Sequence, residues 1–176
     1  MEARLQRMLD HFEITQVLAE YTHGCDRCDI PHMASVYWDE SWDDHGSVKA
    51  PGPEFARLMT ERVLAETEAL SHQLGQSLIR VEGDNAGAET WFLAASCSRG
   101  EDGILVNNLL GGRYVDKLER RDGEWRISHR VVVKDWTASV PAQTDWLADA
   151  GMVEGRRDDG DAAQAVIGRK HSVARR

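Results

Sequence analysis

The residues of this chain best suited to chemistry are a carboxylate and an imidazole far apart in sequence, Asp26 and His72, with Tyr21 about one and a half helical turns before the carboxylate. A buried aspartate that accepts from one ring nitrogen fixes the tautomer of a histidine and stabilises the imidazolium formed when the other nitrogen takes a proton. That is the logic of a general base. Taken singly, Asp26 reads as a solvated loop carboxylate and His72 as a hydrogen-bonded structural imidazole. Tyr21 reads equally as a core tyrosine or as a hydrogen-bond donor to a substrate oxygen or leaving hydroxyl.

Two other groupings carry less. His23, Asp43, Asp44 and His45 invite a divalent metal, but a polar Asp-Asp-His turn is usually solvated. Cys25-Asp26-Arg27-Cys28 matches the C-x-x-C pattern, yet it follows a helix instead of a strand and has no second pair for zinc.

The elements that must position Asp26 and His72 follow from periodicity. Leu5, Met8, Leu9, Phe12, Leu18 and Tyr21 recur mostly at helical spacing, so a first helix ending near Gly24 is expected to pack one face and keep Arg4, Arg7, Glu13 and Glu20 in water. Asp29 before Ile30-Pro31 caps a short second helix expected to carry Met33, Val36 and Tyr37. Residues 38–48 have no helical period and read as a short strand or turn. Pro51-Gly52-Pro53 opens a third helix, 54 to about 68, on Phe55, Leu58, Met59, Val63 and Leu64. Strands follow over 72–81, 86–98, 104–121 and 124–137, separated by turn residues such as Gly83-Asp84-Asn85 and Asp122-Gly123. Gly111-Gly112 permits a bulge or sharp bend in the third of them.

Helices first and a run of hairpins after them give an α+β class, with three N-terminal helices on one face of a curved, mainly antiparallel sheet. That topology can bring the end of the first helix over the start of the first long strand, and so Asp26 to His72. Trp91 and Trp125 read as strand core, Trp136 as the end of the sheet, and Trp38 and Trp42 as possible walls of an aromatic pocket. Residues 1–140 form the domain. Residues 141–176 read as an extension, first an oligomer-facing piece with Trp146, Leu147, Met152 and Val153, then a loose tail.

With 176 residues the chain can bury roughly 70 % of its unfolded surface and enclose a cavity beside its core. A net charge of -9 argues against nucleic acid, whose readers need a basic face, and points to a small neutral or apolar partner. The charged, amphipathic N-terminal stretch lacks the apolar core and cleavage site of a signal peptide, and no run of roughly 18 apolar residues exists, so a cytoplasmic protein is expected. Three cysteines suit a reducing compartment.

Several segments, in this order, resemble the nuclear-transport-factor-2-like superfamily, in its SnoaL-like (polyketide-cyclase-like) branch near scytalone dehydratase and hexachlorocyclohexane dehydrochlorinase. They are Tyr21-Thr22-His23-Gly24-Cys25-Asp26, Tyr37-Trp38-Asp39 ahead of a Trp and a His-Gly, Ser71-His72 opening a strand, and Tyr114 to Arg130 with its Asp122-Gly123-Glu124-Trp125 turn. The resemblance covers about Leu5 to Trp136 and implies a cone-shaped, cystatin-like roll. It implies a His base, His72, supported by an Asp, Asp26, that takes a proton from carbon while water or chloride leaves, with no metal or organic cofactor. By position, a pocket Arg falls on Arg130 and a pocket Trp near Trp42. If Arg130 points inward, alternation adds Val132 and Lys134, with Leu110 and Asn108 on the neighbouring strand. The second catalytic His of scytalone dehydratase has no counterpart here, Asn108 standing in that vicinity. Leaving-group assistance then falls to Arg130 or Tyr21.

The reading that results is a lyase acting on a hydrophobic, aromatic small molecule, releasing water or, as on lignin-derived diaryl compounds, formaldehyde. A ketosteroid-type isomerase uses the same proton abstraction, and a non-catalytic ligand-binding or structural subunit uses the same fold. The superfamily implies a homo-oligomer, dimer or trimer, through the outer face of the sheet.

Overall fold

A computed structural model of the chain describes residues 1–100, 102–142 and 148–168. The chain runs α1 (Glu2–Asp26), α2 (Ile30–Ser35), β1 (Tyr37–His45), β2 (Val48–Pro51), α3 (Gly52–Glu66), β3 (Ala69–Glu82), β4 (Asn85–Arg99), β5 (Leu105–Arg121) and β6 (Glu124–Pro141), and a short 3-10 helix, Ala162–Ala165, follows. The six strands form one sheet in the order β2-β1-β6-β5-β4-β3. All neighbours are antiparallel except β1 with β6. The three helices pack on the concave side, and the core lies between, with Ile14, Leu18, Met33 and Phe55 against Leu118 and Ile127.

Local signals set most boundaries. Asp29 caps α2 by accepting from the His32 backbone N–H at 3.1 Å. That helix ends at Ser35, so Tyr37, expected on it, instead begins β1. The region left open between strand and turn is the β1–β2 hairpin, and the last strand runs four residues beyond its expected end.

The first helix departs from the expectation of a single apolar face. Leu5, Met8, Leu9 and Phe12 are exposed, while Asp10, Ile14, Leu18 and Tyr21 are buried. At about 100° per residue these two sets lie on opposite sides of the helix. The buried set wins because it continues the face that the sheet covers, and because the β5–β6 turn brings Arg120 Nη1 and Trp125 Nε1 to Asp10 Oδ1 at 2.6 and 3.2 Å.

The sheet is bent by irregularities in β6. Gly112 pairs with Lys134 but Gly111 with Trp136, so Asp135 is an extra residue and a bulge sits where the glycine pair was expected to allow one. A Cβ on Gly111 would lie 2.2 Å from the Trp136 ring, and one on Gly112 would lie 2.3 Å from the Val133 carbonyl oxygen. Only glycine admits this close crossing.

Residues 148–168, beyond the last strand, fold back on the domain. Asp161 accepts from Arg27 Nη1 at 2.9 Å, and Arg157 donates to the Thr67 carbonyl and hydroxyl oxygens at 2.9 and 2.8 Å. Met152 and Val153 are exposed. Trp146, Leu147 and the tail from 169 lie outside the described residues.

Candidate active site

Asp26 is the last residue of α1, and α1 packs across β3 near its start. His72 Nδ1 donates to Asp26 Oδ1 at 2.6 Å, and the His72 backbone N–H donates to Asp26 Oδ2 at 2.8 Å. Both carboxylate oxygens are thus used on one residue, which fixes ring and backbone together. The pair is nearly buried, at 9 % and 12 % side-chain exposure. With Nδ1 committed to Asp26, Nε2 is the nitrogen left to take a proton.

His72 lines a cavity of about 550 Å³ between helices and sheet. Its walls are largely apolar, with Leu70, Phe92, Ala94, Leu110 and Val132 among them. Polar groups stand among them, including Tyr21, His45, Arg62, Thr67 and Tyr114, so an apolar ligand would also find points that fix its orientation. Asn108, at the far end, is held by its neighbours: its Nδ2 donates to Ser98 at 2.8 Å and its Oδ1 accepts from Ser139 at 2.7 Å.

Of the residues expected from the sequence, Tyr21, Asn108, Leu110 and Val132 line this cavity with His72. Trp38, Trp42, Arg130 and Lys134 do not. Trp42 is 42 % exposed, because its strand turns Ser41 and Asp43 inward. Trp38 covers the outside, donating to the Glu119 carbonyl at 3.1 Å beneath the guanidinium groups of Arg121 and Arg126. Lys134 is exposed beside the bulge at Asp135, and beyond the bulge, where the parity of β6 flips, Thr137 and Ser139 face the cavity. Trp91, expected as core, is half-buried.

Arg130 lies behind the cavity wall instead of in it. It is fully buried, with Nε and Nη2 bound to the two oxygens of Asp116 at 2.6 and 2.8 Å. Its guanidinium carbon lies 4.1 Å from the Tyr21 ring and 4.2 Å from the Tyr114 ring. Its charge therefore reaches the cavity through two aromatic faces. Burial pushes the Asp116 carboxyl up, against the pull of Arg130.

Burial likewise raises the Tyr21 and Tyr114 hydroxyls well above the ordinary phenol value, so both are neutral donors. Cys25, also in the cavity wall, has its thiol pushed up by burial and by the neighbouring Asp26, which argues against a thiolate nucleophile. Cys25 and Cys28 are not joined in a disulfide.

The cavity residue that the sequence offered only as a metal candidate is His45. It lines the cavity, hydrogen-bonds the Tyr21 hydroxyl through Nε2 at 3.3 Å, and its Nδ1 bonds Asp43 Oδ1. The available signal was the spacing Asp43-x-His45, which on a strand sets both side chains on one face. The rest of the suspected metal cluster is dispersed: His23 packs against His32, and Asp44 binds Lys49 Nζ at 2.8 Å. Among the described residues no group of three metal-ligating side chains converges.

The family model for the SnoaL-like domain matches residues 6–131. Hexachlorocyclohexane dehydrochlorinase 1 of Sphingobium indicum is 27 % identical over 134 residues, covering 70 % of this chain and 80 % of that one. Among solved structures, a type 2 hexachlorocyclohexane dehydrochlorinase superposes with a TM-score of 0.70 at 22 % identity, over 85 % of this chain and 99 % of the other. A scytalone-dehydratase-like protein from Novosphingobium aromaticivorans gives a TM-score of 0.67 at 17 % identity, over 78 % and 91 %. A cystatin-like protein from Nostoc punctiforme gives 0.60 at 17 % identity, over 72 % and 92 %. The structural matches establish the shared cystatin-like fold.

Proposed function

The chain belongs to the SnoaL-like domain family through residues 6–131, and from that premise we propose that it is a cofactor-independent lyase. His72 takes a proton, from carbon where water leaves and from the oxygen of a hydroxymethyl group where formaldehyde leaves and the carbanion takes the proton back, while Asp26 orients the ring and balances the imidazolium. The substrate is a hydrophobic aromatic molecule of the lignin-derived diaryl kind, held by Tyr21, Asn108, Leu110 and Val132, with Arg130 supplying a positive field from behind the wall. The observation that carries this reading is the 2.6 Å contact of His72 Nδ1 with Asp26 on the wall of a largely apolar cavity of about 550 Å³. A non-catalytic module requires a filled cavity and the two residues apart; both observations count against it.

The test is a screen of aromatic and lignin-derived alcohols with a metal chelator present, followed by product mass. Loss of water or of formaldehyde identifies the lyase, and an unchanged mass with a shifted double bond identifies an isomerase. For the converted substrate, His72→Ala and Asp26→Asn are each expected to lower kcat by about 10²- to 10⁴-fold with the circular dichroism spectrum retained. Near-normal turnover in both variants would remove the dyad from the mechanism.

A further inference from the structure

The cavity holds a second carboxylate–imidazole pair. Asp43 is fully buried on β1, accepting the Tyr37 hydroxyl at 2.5 Å on one oxygen and bonding His45 Nδ1 through the other. The His45 ring stacks on Phe55 at 4.4 Å between centroids, and Nε2 meets the Tyr21 hydroxyl at 3.3 Å. This pair and the first stand at opposite ends of a run of rings: His72 to Phe92 at 6.3 Å, Phe92 to Tyr114 at 4.2 Å, and Tyr114 to His45 at 6.4 Å. A substrate lying on Phe92 and Tyr114 has an imidazole at either end.

Charge balance fits a proton source at this end. Arg130 gives Nε and Nη2 to Asp116 and makes no hydrogen bond through Nη1, so none joins it to the buried Asp43. A buried carboxylate needs full hydrogen bonding, and Asp43 receives it from the Tyr37 hydroxyl and His45 Nδ1, which also gives an imidazolium at this position its counter-charge. Around His45 stand Asp43 and Asp44 on its own strand, Phe55 from α3, Tyr21 from α1 and Tyr114 from β5, with Asp116 and Arg130 behind them.

We propose that Asp43, His45 and Tyr21 form a relay that delivers a proton to an oxygen leaving group, and that the site is therefore built to expel water from a β-hydroxy carbonyl compound and not to expel a halide. The proposal rests on the elimination reading above. Halides and carboxylates leave as anions; hydroxide leaves only with a proton. In the step, the C–H bond breaks and its proton goes to His72 Nε2, and the electron pair forms the C=C bond as the C–O bond breaks. The departing oxygen takes the Tyr21 hydroxyl proton, and Tyr21 takes the Nε2 proton of His45. The products are an enone and water. His72 is left as imidazolium against Asp26 and His45 is left neutral, and one proton returned from the first to the second through solvent restores the site. Tyr21 stays a phenol throughout, as its burial favours.

The experiment compares an aryl β-hydroxyketone with its β-acetoxy counterpart, which presents the same carbon acid but a leaving group that needs no proton. His45→Gln is expected to lower the hydroxy-to-acetoxy ratio of kcat by about 10²-fold or more, and Tyr21→Phe to lower it in the same direction. Added imidazole should restore hydroxyketone turnover in His45→Ala. His72→Ala should slow both substrates alike and leave the ratio where it was. If both substrates slow equally in His45→Gln, His45 is structural and the relay is wrong. If His45→Gln does not fold, the Tyr21→Phe ratio decides in the same way. Failure of the wild-type protein to convert either substrate would overturn the elimination reading and the relay together, an outcome distinct from an unchanged ratio.

Discussion

Arg130 and Asp116 show at the residue scale how this site separates holding from reacting. The two side chains are fully buried and joined by a bidentate contact, so each is the other's replacement for water. Removing one partner strands a buried charge. Arg130→Met or Asp116→Asn is therefore expected to cost about 3–5 kcal/mol in urea unfolding, while Arg130→Met combined with Asp116→Leu should cost less than either single change. A double variant as unstable as the sum of the singles would argue that packing of Tyr21 and Tyr114 on the guanidinium, not the ion pair, is what the site needs.

At the scale of elements, the bulge in β6 shapes the cavity and the segment 148–168 ties Arg27 and Thr67 together beside it. An alanine Cβ at position 112 would press on the Val133 carbonyl oxygen and the Phe92 ring, and backbone cannot yield as a side chain end can. Gly112→Ala is expected to destabilise the protein by about 1–3 kcal/mol, read as a lower midpoint in thermal or urea unfolding. The segment 148–168 braces the rim through Asp161, whose carboxyl is held below its ordinary value of 3.8 by the backbone N–H groups of Arg156 and Ala163 and by Arg27. A depressed value means that docking is complete above the ordinary value and weakens as pH falls below it. Amide exchange of residues 156–163 should therefore quicken at acid pH ahead of the sheet, and Asp161→Asn should reproduce that at neutral pH. Exchange in the segment that follows global unfolding at every pH would sink this account.

For the whole molecule, the expectation of self-association gains a surface. Leu5, Met8, Leu9 and Phe12 are exposed on α1, and Val115, Trp136 and Val140 are exposed on the sheet. Exposed apolar groupings of this kind mark contact surfaces. We propose a homo-oligomer, and sedimentation equilibrium is expected to return the mass of two or three chains; the mass of one chain at micromolar concentration would refute it. Among the described residues no helix is long and apolar enough to cross a membrane.

Much of this was legible in the sequence, and the illegible part has a common cause. Helical spacing, the Asp29 cap, the Pro-Gly-Pro start of α3 and the hairpin turns are local signals, and the α+β order followed from them. The same order, with the family resemblance, brought Asp26 to His72. Hidden from the sequence were the choice of face on α1, where two apolar sets compete and only contact with the sheet selects one, and the inward face of β1. That strand buries Ser41 and Asp43 and exposes Trp42, inverting the usual polarity. The inversion is stable at Asp43 because Tyr37 and His45, from the same strand, bond its two oxygens, and Tyr21, from α1, bonds His45 in turn. The sequence by itself determined most of the elements and their order, and with the family resemblance it pointed to the first dyad. Tertiary structure alone decided which side chains face the cavity, because that depends on a one-residue bulge and on polar partners that meet only when the sheet closes over the helices.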